Sequence, residues 1–197
     1  THAGVYGIDA SVAALEGLYG VDISYYVKMN FTGFVEVIDA LGGVSVYSDR
    51  EFTVENIRTY QEGYNQLTGI EALAFARERM SFPEGDYQRA KNQMEVIRAV
   101  VEKAASPALL GNLSGILEAV EGNFQTNLPQ SQILALAPTL AGDWDIRSLT
   151  VSGESAYRET YSMPGSELYV ILPDESSVED AACQIQEVLG GSGQSGP

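Results

Sequence analysis

The apolar positions of this chain fall into runs whose spacing switches between helical and extended periods, and the switches mark its elements. Asp9 followed by Ser-Val-Ala-Ala-Leu-Glu-Gly-Leu-Tyr19 offers an N-cap, then apolar residues at helical spacing, then Gly20 as a stop. Ile23 to Met29 is rich in β-branched and aromatic side chains and predicts an interior strand, because apolar residues occupy both faces. Asn30 caps a second predicted helix through Leu41, ended by Gly42 and Gly43. Val44 to Tyr47 alternates and predicts another strand. Strand, helix and strand within about 25 residues make a βαβ-like opening, which favours an α/β architecture with at least partly parallel pairing.

Residues 49–66 mix charged, aromatic and Gly/Asn positions without a period and predict a loop, with a short strand near Phe52. Thr68 and Glu71 form a capping box ahead of Ala72 to Ala76, so this helix delivers Arg77 and Arg79 at its C-terminal end. The stretch Ser81-Phe-Pro-Glu-Gly85 breaks it, and Asp86 caps a long helix to about Ala105, where Ser106-Pro107 opens a new segment. Shorter helices follow at 107–122 and 129–141, strands at Trp144–Ser152 and Glu167–Leu172, and an amphipathic helix at Ser176–Leu189. No repeat or internal boundary interrupts this order. The expected fold is therefore α/β: a single domain over residues 1–190 with a central mixed β-sheet flanked by helices on both sides, and residues 191–197 as a flexible tail.

Composition narrows the function. With 197 residues, 45% of them hydrophobic, the chain has enough material for one real core. A formal charge of −16 and a sequence pI of about 4.2 exclude nucleic acid as a partner, because such interfaces draw on a broad basic surface. Cys183 is the one cysteine, so no intramolecular disulfide forms, and its place in Val178 to Leu189 predicts a buried, inert thiol. His2 is the one histidine, at the start of the chain, and no Cys/His pairing predicts a metal site. Acidic residues elsewhere, including Asp143, Asp145, Glu175, Glu179 and Asp180, read as solvated faces and helix N-terminal charges. No run approaches the ~18 apolar residues of a membrane span, and no signal peptide opens the chain. The start at Thr1-His-Ala-Gly has no initiator methionine and points to removed upstream residues, an export or anchoring segment among them.

Against the acidic background, four of eleven basic residues, Arg77, Arg79, Arg89 and Lys91, fall within fifteen positions. Guanidinium groups keep their charge and offer a planar fork of donors that matches phosphate and carboxylate oxygens. Asp86, Arg89 and Gln93 are spaced to share one stripe near a helix N-terminus, where the dipole and unpaired N–H groups also favour an anion. A phosphate or pyrophosphate could thus meet arginines from two elements, an arrangement suited to transfer at phosphorus. The alternative is a helix pair laced by Glu78, Glu84, Asp86 and the arginines as surface salt bridges, each worth about 0–1 kcal/mol. Asp86 divides similarly between an N-cap and a group that orients Arg89 or accepts a proton.

Four segments, Tyr25 to Phe34, Ile38 to Val46, Leu67 to Arg79 and Gly85 to Gln93, resemble in order the successive motifs of the LytR-CpsA-Psr family. The resemblance runs to about Leu189. It implies an extracytoplasmic, membrane-anchored protein with an α/β fold and a buried polyprenyl pocket. The implied activity moves an anionic glycopolymer, teichoic acid or capsule, from an undecaprenyl pyrophosphate carrier to peptidoglycan, assisted by Mg²⁺. The family's motif residues fall on Arg77, Arg79, Arg89 and Gln93 for pyrophosphate, with Asp86 and Arg89 as the catalytic candidates. Phe31 and Phe34 would face or support the lipid pocket. The family's upstream Gly-x-Asp, Arg-Ser-Asp and Pro-Arg-Asp segments have no counterpart here, so the expected active site is incomplete and its Mg²⁺ ligands lie elsewhere. The resemblance also admits a non-catalytic polyprenyl-phosphate-binding regulator of transcriptional attenuator type.

Overall fold

A computed structural model describes residues 7–106, 113–119, 122–136, 139, 146–160 and 163–191. The elements in chain order are α1 (Gly7–Tyr19), β1 (Val27–Met29), α2 (Phe31–Ala40), β2 (Val44–Ser48), β3 (Phe52–Val54), β4 (Arg58–Tyr60), β5 (Gly63–Leu67), α3 (Gly69–Arg77), α4 (Asp86–Ala104), α5 (Leu113–Ala119), β6 (Phe124–Thr126), α6 (Gln130–Leu136), β7 (Gly153–Thr160), β8 (Met163–Pro173) and α7 (Glu175–Gly191). They divide between two compact units, Tyr25–Ile146 and the pair of segments Thr1–Ser24 and Arg147–Pro197.

The core of the Tyr25–Ile146 unit begins with β2, whose alternate residues Val44, Val46 and Ser48 are buried. β2 pairs antiparallel with β5, Val44 opposite Leu67 and Val46 opposite Asn65. Asn65 is buried, and its amide closes the β4–β5 turn by bonding Gln61 N and O and Gly63 O. Helices α2, α3 and α4 cover this ladder with Ile38, Ala72, Phe75, Val96 and Ala99. Asn30 caps α2 by accepting from Gly33 N at 2.7 Å, and Gly42 and Gly43 leave it at φ of 74° and 84°. At the start of α3, the Glu71 carboxylate accepts from both the amide and the hydroxyl of Thr68, the capping box of the sequence. Gly69 lets α2 and α3 touch: a Cβ there would lie 2.3 Å from Val35 O, and its amide donates to Asp39 Oδ1 at 2.7 Å.

In the other unit, α1 packs with α7, and β7 pairs antiparallel with β8 from Gly153–Pro173 to Thr160–Met163, with an irregularity at Glu159/Thr160. Ala181 is buried on α7.

The α/β class, the helices α1, α2, α3, α4 and α7, and the strand β2 stand as expected. The pairing does not: among the described residues the strands form four two-stranded antiparallel ladders, with no parallel pair and no continuous mixed sheet. β2 turns back through β3 and β4 to meet β5, so the strand–helix–strand order does not make a βαβ crossover. Residues 49–66 hold β3, β4 and part of β5, each too short to display a period. The strand at Ile23–Met29 shrinks to β1, paired only with β6 among the described residues and exposed along its length, because no layer covers its two faces. Cys183 is exposed. It sits two residues beyond buried Ala181, about 200° around the helix, so burying one turns the other outward.

Ile146–Ser152 carries no regular structure, and the strand lies one element later, in β7, whose polar residues on both faces hide the alternation. Glu167–Leu172 falls inside β8. The helices expected at 107–122 and 129–141 contain α5 and α6, and their remaining ends fall wholly or partly outside the described residues. His2, Asp143, Trp144, Asp145 and the tail from residue 192 also lie outside them.

The α2–α3 contact gives a direct test. Gly69→Ala should lower stability by about 1–3 kcal/mol, because the clash is with backbone that cannot rotate away. Gly17→Ala, on an open face of α1 with nothing within 4 Å, should be neutral or slightly stabilising. Urea midpoints of the two variants against the parent measure the difference.

Candidate functional site

The cluster of basic residues lies where α3 ends and α4 begins, and an aromatic cluster fixes the segment between them. Phe52 stacks on Tyr60 at 4.7 Å between centroids, meets Phe82 edge-on at 4.8 Å and contacts Phe75 at 5.4 Å. Phe75 is in the last turns of α3 and Phe82 precedes α4, so Arg77 and Arg79 are held between two buried rings. Burial pushes the Tyr60 hydroxyl up to about 12, and it donates to Glu71 O at 2.7 Å. Glu78 takes an extended conformation and ends the helix. Its carboxylate accepts from Ser81 N at 2.8 Å, while Phe82 N and Gly85 N donate to Arg79 O and Phe82 O in successive turns.

Gly85, at φ 54° and ψ −110°, is the N-cap of α4, a conformation that residues with a Cβ rarely adopt. Asp86 is therefore the first helical residue and not the cap, which corrects that expectation and leaves its carboxylate to the arginines. Asp86 Oδ1 lies 2.9 Å from an Nη of Arg89 and 3.6 Å from Nε of Arg79. Gln93 Nε2 donates to Ala76 O in the last turn of α3 at 3.3 Å. Arg77 is exposed and has no carboxylate partner at ion-pair distance among the described residues; its guanidinium carbon lies 4.4 Å from the centroid of the Phe31 ring. Arg79, Asp86 and Arg89 thus meet where α3 gives way to α4, Gln93 touches the last turn of α3, and Arg77, at the end of α3, turns instead to Phe31.

The lacing by Glu78 and Glu84 is only partly formed. Glu84 pairs with Arg50 at 3.2 Å, and Glu78 bonds backbone. Lys91 turns to Asp49, with Nζ 2.7 Å from Oδ2. Of the lipid-pocket candidates, Phe34 is partly buried against the core and Phe31 is exposed beneath Arg77.

Sequence reasoning missed the residues that seat α4. Gln88 and Asn92 are buried; Gln88 Nε2 donates to Asp49 Oδ1 and to Asn92 Oδ1, each at 3.1 Å, and Asn92 Nδ2 donates to Phe75 O at 3.4 Å. The signal was present: Gln88, Asn92, Val96 and Ala99 keep helical spacing, so two amides occupy the buried stripe. Burial alone would raise the Asp49 carboxyl, but the Lys91 ammonium and then Arg50 override it and hold it below its ordinary range. Among the described residues no three His, Cys, Asp or Glu side chains gather to hold a metal.

The model of the LytR_cpsA_psr family matches residues 2–177. The chain belongs to this family. Over 127 residues, 64% of this chain, it is 42% identical to the polyisoprenyl-teichoic acid–peptidoglycan teichoic acid transferase TagU of Bacillus mycoides. Those residues span 41% of that relative's length. TagV of Bacillus subtilis is similar in structure, with a TM-score of 0.79 at 27% identity over 95% of this chain and 72% of that one. A transcriptional regulator from Enterococcus faecalis is similar at a TM-score of 0.80 and 28% identity, over 96% of this chain and 68% of that one.

In this LytR_cpsA_psr member, two guanidiniums are tied to one carboxylate oxygen and a third is tied to a ring. The tether of α4 to β2 through Asp49 is pH-dependent. Because the Asp49 carboxyl is held below its ordinary 3.8, its ionised contacts stabilise the fold above that pH and are lost as pH falls through the lowered folded value. Asp49→Asn should cost at most about 1 kcal/mol at pH 7, since Lys91 is half exposed, and the gap to the parent should begin to narrow at pH ~4 and close once pH is below the lowered folded value. Denaturant titrations of both proteins across that range measure it.

Proposed function

We propose that the junction of α3 and α4 grips the pyrophosphate of a polyprenyl-linked anionic glycopolymer, and that the protein serves its transfer to peptidoglycan on the extracytoplasmic face of a bacterial membrane. The observation that carries this reading is that Arg79 and Arg89 both come within ion-pair distance of Asp86 at the start of α4, with Arg77 at the adjoining end of α3. TagU of Bacillus mycoides, named for teichoic acid transfer to peptidoglycan, supports the same choice of donor and acceptor.

In the transfer, an acceptor hydroxyl oxygen attacks the phosphorus that bears the polymer. The bond from that phosphorus to the bridging oxygen breaks, and its electron pair leaves on polyprenyl phosphate. Arg77, Arg79 and Arg89 neutralise the charge that grows on the leaving group, and the Gln93 amide adds a neutral donor. Asp86 Oδ1 is shared by two guanidiniums, which favours orienting them over taking the hydroxyl proton; that proton passes to water. Arg77 and the start of α4 add positive potential from a side chain and from a helix dipole.

Mg²⁺, which the family resemblance implies, does not fit the described residues. Asp86 is the one carboxylate paired with the cluster arginines, and two guanidiniums already occupy its Oδ1, so no step here is routed through a metal. An undecaprenyl chain would run past Phe31 and Phe34; among the described residues no helix is long and apolar enough to cross a membrane.

A second reading keeps the same anion grip in a non-catalytic envelope regulator, favoured by the likeness to the Enterococcus faecalis transcriptional regulator. Direct contact with DNA is opposed by the net charge of −16.

Binding of geranylgeranyl pyrophosphate, followed by calorimetry, tests the grip. Arg77→Ala should weaken it by about 2 kcal/mol, as expected for removing charge-assisted hydrogen bonds, and Arg89→Ala by a similar amount. Arg158→Ala, on β7, should change nothing. Equal affinity in all four proteins would leave only surface ion pairs at the junction. Labelled polymer recovered on peptidoglycan supports a transferase, release to solution a hydrolase, and binding with no turnover the regulator.

A further inference from the structure

Arg77 differs from its neighbours in how it is held. Arg79 and Arg89 lie at ion-pair distance from Asp86, 3.6 Å and 2.9 Å, so each already faces a carboxylate before any ligand arrives. Arg77 is placed instead over the ring of Phe31, 4.4 Å from guanidinium carbon to centroid. A guanidinium stacked on a ring uses its π face, while its N–H donors all lie in the edge and stay free for oxygen.

The two partners are positioned by separate, rigid devices. Phe31 is the first residue of α2, directly after the Asn30 cap, whose side-chain Oδ1 accepts from Gly33 N and whose Nδ2 donates to Asn123 Oδ1 at 3.3 Å. Arg77 is the last residue of α3, two positions after Phe75 in the aromatic cluster. The close contact of Gly69 with Val35 packs the start of α3 against the middle of α2. With the helices fixed there, the end of α3 meets the start of α2, and the contact of guanidinium with ring forms between two helix termini.

We infer that Phe31 is a positioning residue for Arg77, a platform that holds the guanidinium flat and presents its donor edge to a phosphate oxygen. This rests on the pyrophosphate reading above and assigns Phe31 a role toward the headgroup in addition to any contact with lipid. Leucine at position 31 keeps apolar bulk but has no quadrupole, whereas tryptophan strengthens it, so the two substitutions separate a platform from a greasy wall.

The test uses the whole chain with geranylgeranyl pyrophosphate as probe, and reads two quantities. The Arg77 Nε–Hε resonance, shifted upfield by the ring below it, reports the stack without any ligand. Phe31→Leu should abolish that shift and weaken binding about three- to tenfold, while Phe31→Trp retains both. In an Arg77→Gln background, Phe31→Leu should cost nothing more. An Arg77 resonance indifferent to Phe31→Leu would overturn the platform, and so would an equal loss of affinity in the Arg77→Gln background, which would make Phe31 a direct ligand contact. A stack that is present while Arg77→Gln leaves affinity unchanged would sink the pyrophosphate reading itself, and the positioning role with it.

Discussion

The site depends on the Phe52 ring. It contacts Tyr60 from the neighbouring strand, Phe75 near the end of α3 and Phe82 before α4, all four buried. An aromatic pair of this kind adds about 0.5–1.5 kcal/mol beyond area burial, and its larger effect here is geometric. With Phe75 and Phe82 both held on Phe52, the six residues between them have little freedom, and Arg77 and Arg79 are carried on a short, pinned arc. Both long cationic side chains leave this arc exposed, so their charge stays largely hydrated.

From that arc outward, polar contacts set the orientation of the second helix. Gln88 and Asn92 could have been leucines if α4 only needed to stick. As amides they form a chain from Asp49 through both side chains to Phe75 O, which fixes the rotation of α4 about its axis as well as its distance. A buried hydrogen-bonded chain of this type contributes modestly to net stability but penalises every register that leaves a group unpaired. The rotation it selects puts Arg89 and Asp86 on the side facing Arg79, and Gln93 against the last turn of α3.

Much of this was legible in the sequence, and what was not has identifiable causes. Caps and stops were readable because Asn30, Thr68 with Glu71, and Gly42 with Gly43 act within a few residues of themselves. The arginines at the end of α3 and the start of α4 were readable as a local feature because basic charge stands out in an acidic chain. Strand pairing was hidden, since β3 and β4 have three residues each and β1 pairs with β6 nearly a hundred residues away. Asp86 was mistaken for a cap because Gly85, whose only distinction is a positive φ, leaves no side-chain signature. Phe31 and Arg77 are 46 positions apart on different helices, and only the packing of α2 on α3 brings them together.

The chain's overall charge makes that last contact informative. With 27 acidic residues against 11 basic ones, a carboxylate partner for any exposed arginine is easy to supply, and six of the described cations have one. Arg77 lies among them with an aromatic face in that place. A carboxylate would have held the same guanidinium through its donors and would have to be displaced by an incoming phosphate. A ring holds it through a surface the phosphate does not use, so order is obtained without competition. Asp86 does the opposite for Arg79 and Arg89, fixing them through a contact that an anion can loosen. The junction therefore combines one cation held by a ring with two that face a carboxylate, which, on the proposed reading, would suit a group whose charge grows as its bond to phosphorus breaks.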